Sequence, residues 1–456
     1  MADMYLVETT IIDKKNRHYN NLIDLCIKAK NLYNATLYDV RQTFFETGKY
    51  KNFNATNRDF IKQNNPDYRA LNSHIAQFVQ KRVDSNFKSF FSNNQNYKSG
   101  KSETKPNIPN YKPKDGMMTV RIPKKAVNKS KREGYLGIGY PKGNKTLTEI
   151  KTAIPYKDAV FIEVMPMGNH LKVNVGYKKK IKEVKTNNKY AAIDLGIDNL
   201  ITMASNVSQP LIINGKPVKS INQYYNKKLA EKQSKLEDDV HTSKSIKRLS
   251  FKRNNKINDY FHKASNIVVN YLVSNDIRTL YIGKNVGWKQ NTNMGKKNNQ
   301  KFVYIPFNRL VDMINYKAKL NGIKVIVVEE SYTSKASFIH QDFIPVYDPD
   351  NKKTYKFSGY RKTRGNYVNK GDVVIKEINA DMNGALNILR KSMKRKWDDN
   401  YYQSCVGNLN LGILKIKNAA WVTSSRGLSS KASDSSGSKV KFIFYMFFAN
   451  CEINHF

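Results

Sequence analysis

The segment KYAAIDLGIDNLITMAS, residues 189–205, decides the fold of the C-terminal half of the chain. Its apolar run, the acidic Asp194 and the small Gly196 predict a buried strand, a turn and a second strand. An acidic residue that follows a buried strand places a carboxylate at the centre of a sheet, and the glycine leaves open space beside it. The segment therefore predicts a sheet with Asp194 at a candidate site.

Strand and helix patterns alternate downstream of this segment. In chain order they are the extended piece PLIINGKPV, a long charged helical region at about 223–274, the strand TLYIG, the helix FNRLVDMINYKAKLNG, the buried-type strand KVIVVEE and a last helix, DMNGALNILRKSMKR. Strands that alternate with helices after a hairpin predict a mixed α/β layer domain.

The N-terminal half contains helix patterns followed by strand patterns. Residues 7–12 predict a short strand, and apolar residues at steps of three and four predict helices over about 19–91. A segment rich in Pro, Asn and Lys, residues 106–116, predicts a domain boundary. Strand-like pieces over 117–177 include a hairpin with a turn at Gly168.

The composition is strongly basic. The chain has 456 residues, which predicts two or three domains, and its 79 Lys and Arg against 37 Asp and Glu give a formal net charge of +42. A solvated basic surface is one interpretation, and binding to a polyanion is the other. Because such an excess repels itself in a compact state unless a counter-charge is present, and nucleic acid supplies that charge at high density, the composition favours a nucleic-acid-binding protein.

The spacing of the cysteines and the hydropathy of the chain indicate in which cellular compartment the protein is located. Cys26, Cys405 and Cys451 lie far apart and form no CxxC pair, which favours a reducing compartment. The N-terminus lacks the apolar core of a signal peptide, and no apolar run reaches about 18 residues. We therefore expect a cytoplasmic protein without a membrane partner. The stretch 401–456 is predicted to be a disordered tail.

Three acidic positions lie where strands or helices would present them to one point: Asp194, the Glu329-Glu330 pair that ends KVIVVEE, and Asp381 in INADMNGALNIL. Taken alone, an acidic residue at a strand end or a helix start is more often a cap or a solvated edge. Together they predict a site for phosphodiester hydrolysis, in which two Mg²⁺ ions about 3.5–4 Å apart activate a water and stabilise the leaving oxygen.

At these residues the chain resembles the TnpB proteins of insertion sequences, which are relatives of Fanzor and of the type V CRISPR effectors. The matching pieces are AAIDLGIDNLIT, YIGKNVGWKQ, IPFNRLVDMINYKAKLNGIKVIVVEESYTSKASF and INADMNGALNILRK. The resemblance implies a guide RNA from the end of the transposable element, recognition of a short motif on double-stranded target DNA, and cleavage of that DNA. It also implies a place in the nucleoid of a prokaryotic cell.

The resemblance further implies a multidomain fold with a helical recognition lobe, a β-barrel wedge domain and an α/β RNase H-like (RuvC) nuclease domain. The expected bounds are 1–18 and 116–185 for the wedge barrel, 19–115 for the helical lobe, and 186–400 for the nuclease domain, with an insert at 335–375 where relatives carry a zinc ribbon.

One departure from the family concerns the second catalytic acid. In most relatives this acid is a Glu in a strand that reads like IED, and the matching strand here, YIGKN, has Gly283 in its place. A subset of the family uses a substitute Glu just before a YTS motif, which corresponds to Glu330. We therefore expect Asp194, Glu330 and Asp381 to bind Mg²⁺ and carry catalysis. Glu329 is the alternative to Glu330, because alternation along a strand lets only one of the two face the site.

A second departure concerns zinc. Relatives carry two CxxC pairs between the YTS motif and the last Asp, and this chain has no cysteine there, so no zinc is expected. Either aromatic packing holds this subdomain together instead, through Phe338, Phe343, Tyr347, Tyr355 and Phe357, or the subdomain is loose.

Two basic segments are candidates for nucleic-acid contacts. The stretch 284–301 predicts a loop that contacts phosphates, and the helical stretch 244–256 is expected to lie along an RNA–DNA duplex. A solvated loop and a solvated helix face are the alternatives, and for Trp288 the alternative is packing in the core. The candidate nucleic-acid-binding residues are Lys284, Trp288, Lys289, Lys296, Lys297, Lys247, Arg248, Lys252 and Arg253.

The leading hypothesis is therefore an RNA-guided, Mg²⁺-dependent DNA endonuclease of a transposable element. Gly283 favours one alternative, a catalytically inactive RNA-guided DNA-binding repressor. A transposition accessory protein or a transposase ranks below both, and a ribonuclease remains a hypothesis based on fold alone.

Overall fold

The computed structural model describes residues 3–141, 148–284, 305–348 and 353–419. The chain divides into two units, with the boundary between Lys180 and Ile181. Buried apolar residues form a core within each unit. In the described part of the chain, no helix has both the length and the apolar character needed to cross a membrane.

The N-terminal unit combines long helices with antiparallel strands. Its helices are α1 (Tyr19–Thr47), α2 (Phe53–Lys62), α3 (Pro66–Arg69) and α4 (Ser73–Lys98), and its strands are β1 (Asp3–Ile12), β2 (Val120–Pro123), β3 (Val127–Lys129), β4 (Tyr135–Ile138), β5 (Thr148–Lys151), β6 (Ala159–Met167) and β7 (His170–Lys180). One sheet has the strand order β1-β7-β6-β2 and another has the order β3-β4-β5. The predicted turn at Gly168 joins β6 to β7, and the positive φ of 62° there suits glycine.

The helices and strands of this unit share one hydrophobic core. Leu22 and Leu32 of α1 and Phe87 of α4 belong to the same buried cluster as Ile122 of β2 and Val173 of β7. The helix predicted from residue 19 begins there, and the last predicted helix continues seven residues beyond residue 91, to Lys98. The segments expected to be a helical lobe and a strand domain therefore pack as one unit.

The C-terminal unit is a mixed α/β layer structure. Its strands are β8 (Tyr190–Leu195), β9 (Asn199–Ser205), β10 (Leu211–Asn214), β11 (Thr279–Gly283), β12 (Lys324–Val328), β13 (Gly359–Thr363), β14 (Asn366–Asn369), β15 (Glu377–Asn379) and β16 (Leu414–Ile416), and its helices are α5 (Lys216–Gln233), α6 (Lys244–Ser274), α7 (Phe307–Leu320), α8 (Ala380–Met393) and α9 (Asp399–Asn410). Among the described residues, six strands form the main sheet in the order β12-β11-β8-β9-β10-β16. Strand β11 runs parallel to β8 and β12, whereas β9 is antiparallel to β8 and β10.

Alternate residues of β8 face two different layers. Ala191 and Ile193 pack in one cluster with α6 and α7, and Tyr190 and Ala192 pack in another cluster with α8. Because side chains alternate along a strand, Asp194 lies on the α8 side. The sheet is therefore covered on both faces, and α8 determines what surrounds Asp194.

Three predicted elements differ from the structure. Only the first half of PLIINGKPV is a strand, because Pro217 fits the first turn of α5 and begins a helix there. The charged helical region contains a break at 234–243, and Ser243 caps the second helix. The strand in KVIVVEE ends at Val328 and is not buried: it forms the sheet edge, where Val327 is 51% exposed.

The predicted tail is partly folded. Helix α9 and strand β16 lie within the stretch that was expected to be disordered from residue 401, and β16 pairs with β10. The buried Cys405 lies against the carbonyl oxygen of Ser205, at 3.7 Å. The prediction is therefore wrong for residues 401–419, because this segment completes the sheet. The stretch 420–456 lies outside the described residues.

The insert at 335–375 is held by fewer aromatic residues than expected. Phe338 is fully buried, and Tyr355 and Phe357 contact the ring of Tyr332. Phe343 and Tyr347 are 78% and 61% exposed, so the prediction is wrong for these two. Hydrogen bonds between the antiparallel strands β13, β14 and β15 also hold this part of the chain.

Candidate active site

Asp194 lies near the C-terminal end of β8, under the first turns of α8. A Cβ atom built on Gly384 of α8 would lie 2.6 Å from Asp194 Oδ2. This is closer than real Cβ contacts, so a side chain at position 384 and the present position of the carboxylate exclude each other. The absence of a side chain at Gly384 therefore gives Asp194 its space.

Glu330 reaches the same region from the loop after β12. Ile282 of β11 pairs with Ile193 of β8, so Gly283 continues the register beside Asp194. A Cβ atom built on Gly283 would lie 2.5 Å from Glu330 Oε2 and 3.2 Å from Glu330 Cβ. The same Cβ would also lie 2.5 Å from Ile388 Cδ1, so the side chains of Glu330 and Ile388 together fill the space that a side chain at position 283 would need.

Asp381 lies in the first turn of α8. Asn379 is the N-cap of this helix, since its side chain accepts hydrogen bonds from the backbone N–H groups of Asp381 and Met382. The capping role that a lone acidic residue would suggest thus belongs to Asn379. Asp381 Oδ2 accepts a hydrogen bond from Asn199 Nδ2 at 2.9 Å, and Oδ1 accepts one from Arg361 Nη2 at 2.9 Å.

Glu329 is engaged in contacts of a different kind. Its Oε2 lies 2.5 Å from Lys391 Nζ, and its Oε1 accepts a hydrogen bond from the backbone N–H of Ser331 at 2.6 Å. Both glutamates follow the last residue of β12, so alternation along the strand does not distinguish them. Their contacts do, because Glu330 lies against Gly283 whereas the carboxylate of Glu329 is bound by Lys391 and Ser331.

The acidic residues influence one another electrostatically. Burial raises the pKa of Asp194 well above its usual value, and the charges of Glu330 and Asp381 raise it further. Burial also raises the pKa of Glu330 to about 7, with a contribution from the charge of Glu329. For Glu329, burial acts in the same direction, but hydrogen bonds from Lys391 and Ser331 outweigh it and lower the pKa. Asp194 is thus within electrostatic range of both other predicted site acids.

The donor types fit a hard divalent cation. Neighbouring carboxylates repel each other unless a cation compensates them, and Mg²⁺ prefers oxygen ligands. In the described ranges, no group of three or more His, Cys, Asp or Glu residues is arranged to hold one ion. Mg²⁺ is commonly bound by one or two carboxylates together with water and substrate phosphates, and Asp194 with either Glu330 or Asp381 would supply such a pair of carboxylates.

Two arginines of the β13–β14 hairpin reach the candidate site, and sequence reasoning missed both. Arg361 pairs with Asp381, and Arg364 Nε lies 3.0 Å from Asp198 Oδ2. Asp198 also pairs with Lys219 Nζ at 2.9 Å. In a chain with 79 Lys and Arg residues, no local pattern distinguishes these two. The sequence offers one indication for them, which is that both lie between Glu330 and Asp381 along the chain.

The four candidate nucleic-acid-binding residues on α6 differ in their exposure and in their contacts. Lys247, Arg248 and Lys252 are exposed. Arg253 connects α6 to α5, because its Nε donates a hydrogen bond to Asn222 Oδ1 at 2.8 Å. Lys284 is half-buried directly after β11. The remaining candidates lie outside the described residues: Trp288, Lys289, Lys296 and Lys297.

Comparison with protein families gives two matches in the part of the chain that carries this geometry. The OrfB_IS605 family model, described as a probable transposase, matches residues 170–289. The Cas12f1-like TNB domain model matches residues 307–388. The second range contains Glu330, Arg361 and Asp381, and the first contains Asp194.

Comparison with individual proteins gives more distant similarities. Among solved structures, a Cas12f1–sgRNA–target DNA complex is 16% identical with a TM-score of 0.47, and the match covers 82% of this chain and 84% of that one. The C2c1 protein of Alicyclobacillus acidoterrestris in complex with single-guide RNA is 8% identical with a TM-score of 0.38, and the match covers 84% and 70%.

A curated relative is the TnpB-like protein ORF457 of Acidianus two-tailed virus, which is 26% identical over 229 residues. This match covers 48% of this chain and 45% of the viral protein, so the chain spans less than half the length of that relative. The two family models and the viral protein agree in kind: the parts of the chain that they match are similar to probable transposases, to Cas12f1-like proteins and to a TnpB-like protein.

Proposed function

We propose that this chain is an RNA-guided DNA endonuclease of a transposable element and that it hydrolyses phosphodiester bonds with two Mg²⁺ ions shared among Asp194, Glu330 and Asp381. The observation that carries the proposal is the approach of three acidic side chains from separate parts of the chain. Asp194 fills the space above Gly384, Glu330 fills the space above Gly283, and Asp194 interacts electrostatically with Glu330 and Asp381.

The proposed roles follow from the contacts of each residue. When bound, Mg²⁺ supplies the activation of a water and the stabilisation of the leaving oxygen. Asn199 orients the carboxylate of Asp381 by its hydrogen bond to Oδ2. Arg361 brings a permanent positive charge to the same carboxylate, where an incoming phosphate can compete for it.

The proposed partners are a guide RNA from the end of the element and double-stranded target DNA. The formal charge of +42 supports polyanionic partners, and the similar proteins are described in complexes with guide RNA and target DNA. The main sheet with α8 on one face supports the assignment of an RNase H-like, RuvC-type domain. The exposed residues Lys247, Arg248 and Lys252 are the proposed duplex contacts on α6.

A cleavage assay with conservative variants tests the proposal. The full chain is purified with the RNA that accompanies it, and that RNA is sequenced to define a matching plasmid target. We expect Mg²⁺-dependent cutting by the wild type, and its loss by at least about 100-fold in Asp194→Asn, Glu330→Gln and Asp381→Asn. Asp312→Asn, an exposed acid on α7, is the matched control and should cut normally. Equal cutting by wild type and Asp194→Asn would contradict the proposal.

An exchange of positions tests Glu330 specifically. Glu330→Ala should abolish cutting, and the variant Gly283→Glu with Glu330→Ala and Ile388→Val should recover part of it, because these changes remove both side-chain ends that lie 2.5 Å from a Cβ at position 283. Gly283→Glu with Glu330 intact should be impaired, since both side chains need one space. If this triple variant is no more active than Glu330→Ala with Ile388→Val, Glu330 does not act through this position.

A non-cleaving RNA-guided repressor is the second candidate. Gly283 in place of an acid and the ion pair between Arg361 and Asp381 favour it. The same assay separates the two, because a repressor binds the target plasmid at wild-type strength and leaves it uncut at every Mg²⁺ concentration.

A further inference from the structure

Lys391 lies at the centre of a set of polar contacts next to the candidate site. Its Nζ lies 2.5 Å from Glu329 Oε2, 3.0 Å from the carbonyl oxygen of Ser331 and 3.0 Å from the carbonyl oxygen of Pro345. An ammonium group has three N–H donors, and each has an acceptor here. The Lys391 side chain is only 16% exposed, so water competes weakly for these donors.

The carboxylate of Glu329 closes the same arrangement from the other side. One oxygen pairs with Lys391, and the other accepts from the backbone N–H of Ser331. Lys391 also binds the carbonyl of Ser331, so the residues before and after Glu330 are both attached to one lysine of α8. We call Lys391, Glu329, Ser331 and Pro345 the Lys391 clasp.

Glu330 needs such support because the sheet does not supply it. Strand β12 ends at Val328, and its pairing with β11 ends at Gly283. Beyond that point the backbone of Glu330 is held by the turn in which Thr333 donates from its N–H and its Oγ1 to the carbonyl of Glu330, at 3.2 and 2.7 Å. The turn fixes the C-terminal side of Glu330, and the clasp fixes both neighbours.

We propose that Lys391 and Glu329 are positioning residues, which hold the backbone on both sides of Glu330 so that its carboxylate reaches across Gly283 to the site of Asp194. This inference rests on the proposed function, in which Glu330 binds Mg²⁺. It gives Glu329 a role distinct from metal binding, and it gives a role to Lys391, which lies at the far end of α8 from Asp381.

The clasp explains why a ligand supplied by a loop can replace one supplied by a strand. A side chain on β11 would be held by ladder hydrogen bonds on both edges, whereas a loop residue has several backbone conformations. Residues that orient metal ligands typically change metal affinity by about 10–100-fold when they are removed. Loss of the clasp should therefore weaken the site without removing any metal ligand.

The first measurement is binding of Mn²⁺, followed by electron paramagnetic resonance of the free ion. It uses the full chain with its co-purified RNA. Because RNA also binds Mn²⁺, the same complex of Asp194→Ala supplies the background to subtract. We expect Lys391→Ala and Glu329→Ala each to weaken site-specific binding by about tenfold. The double variant should bind Mn²⁺ no more weakly than either single variant, because each change alone already disrupts the same set of contacts.

Two further variants separate positioning from a general structural role. Glu329→Gln keeps an acceptor for Ser331 but loses the charge pair, so it should recover part of the affinity that Glu329→Ala loses. Lys376→Ala, an exposed lysine whose Nζ contacts only the carbonyl of Gly371 among the described residues, is the matched control and should bind Mn²⁺ as the wild type does. Binding of RNA and of target DNA should be unchanged in all variants.

The second measurement is the Mg²⁺ concentration for half-maximal cutting, which should rise about tenfold in Lys391→Ala while the rate at saturating Mg²⁺ recovers. An unchanged Mn²⁺ affinity and an unchanged Mg²⁺ requirement in Lys391→Ala would overturn the inference and leave the proposed function standing. A wild type that never cuts would overturn the proposed function. The Mn²⁺ titration would then still decide whether Lys391 supports the site.

Discussion

At the scale of single residues, the candidate site depends on what is missing at two positions. Gly283 and Gly384 each lie so close to a carboxylate that an added Cβ would approach it to within 2.6 Å. Neither glycine has a positive φ, so neither is required by the backbone. Their role is to leave space for Glu330 and Asp194.

A comparison of two helical glycines tests this explanation. Replacing glycine by alanine inside a helix normally stabilises a protein by about 0.5–1 kcal/mol. Gly407→Ala on α9 should show this gain, since nothing lies within 4 Å of its added Cβ. Gly384→Ala on α8 should instead lower the free energy of unfolding by about 1–3 kcal/mol, and it should impair cutting because Asp194 is displaced. Urea unfolding of both variants is the measurement, and a stabilised Gly384→Ala would contradict the explanation.

The acidic residues of the candidate site were easier to select from the sequence than its basic residues. Asp194 could be selected because it follows a buried strand and precedes Gly196, and Asp381 because it begins a helix with small residues at 384 and 385. Glu330 was selected by the YTS motif beside it. Arg361 and Lys391 could not be selected, because basic residues are common throughout this chain. Their roles depend on which carboxylates lie opposite them, and only the folded backbone determines that.

At the scale of elements, a half-buried lysine joins α6 and α7. Lys317 Nζ donates hydrogen bonds to the carbonyl oxygen of His262 at 2.8 Å and to Ser265 Oγ at 2.7 Å. Burial lowers the pKa of Lys317 to about 7. Burial of an ammonium group among apolar residues is costly, so this contact between two core helices depends on pH.

The sign of this dependence can be measured. A lysine in an unfolded chain titrates near pH 10.4. Between about pH 7 and pH 10 the unfolded state therefore binds more protons than the folded state, and this group makes the free energy of unfolding rise with pH. Lys317→Met should remove that rise relative to the wild type, as measured by urea unfolding across this range. Lys319→Met, an exposed lysine on the same helix, is the control and should keep it.

Elements with a clear repeat were predicted, and elements at a sheet edge were not. The alternation of β8 and β9 and the helical repeat from residue 19 are local properties of the sequence. The exposure of β12 and the pairing of β16 with β10 are tertiary properties. An apolar run such as KVIVV has the same composition in the centre of a sheet and at its edge, so its burial could not be derived from the sequence.

At the scale of the whole molecule, the dominant property is positive charge. A formal charge of +42 on 456 residues opposes compaction when no polyanion is bound. Dissolved salt screens this repulsion, since the screening length falls from about 10 Å at 0.1 M to about 3 Å at 1 M. Salt should thus act in opposite directions on stability and on nucleic-acid binding.

Two titrations with NaCl test this expectation. The melting temperature of the RNA-free chain should rise with salt, whereas its affinity for duplex DNA, measured by fluorescence anisotropy, should fall steeply. Each phosphate contact on duplex DNA adds about 0.9 to the slope of log affinity against log salt. Replacing Lys247, Arg248 and Lys252 by alanine should therefore reduce that slope by up to about 3. An unchanged slope would exclude this face of α6 from the interface.

The pairing of β16 with β10 also has a consequence during synthesis. Asn214 Nδ2 donates a hydrogen bond to the carbonyl oxygen of Lys417, which is 203 residues further along the chain. At roughly 5–20 residues per second, a ribosome takes about 10–40 seconds to make that length. Throughout this interval the outer edge of β10 on the nascent chain lacks its partner strand, and an open edge is a template for pairing with other polypeptides. Among the described strands of the sheet, the one made last is thus the one that ends its exposure to aggregation.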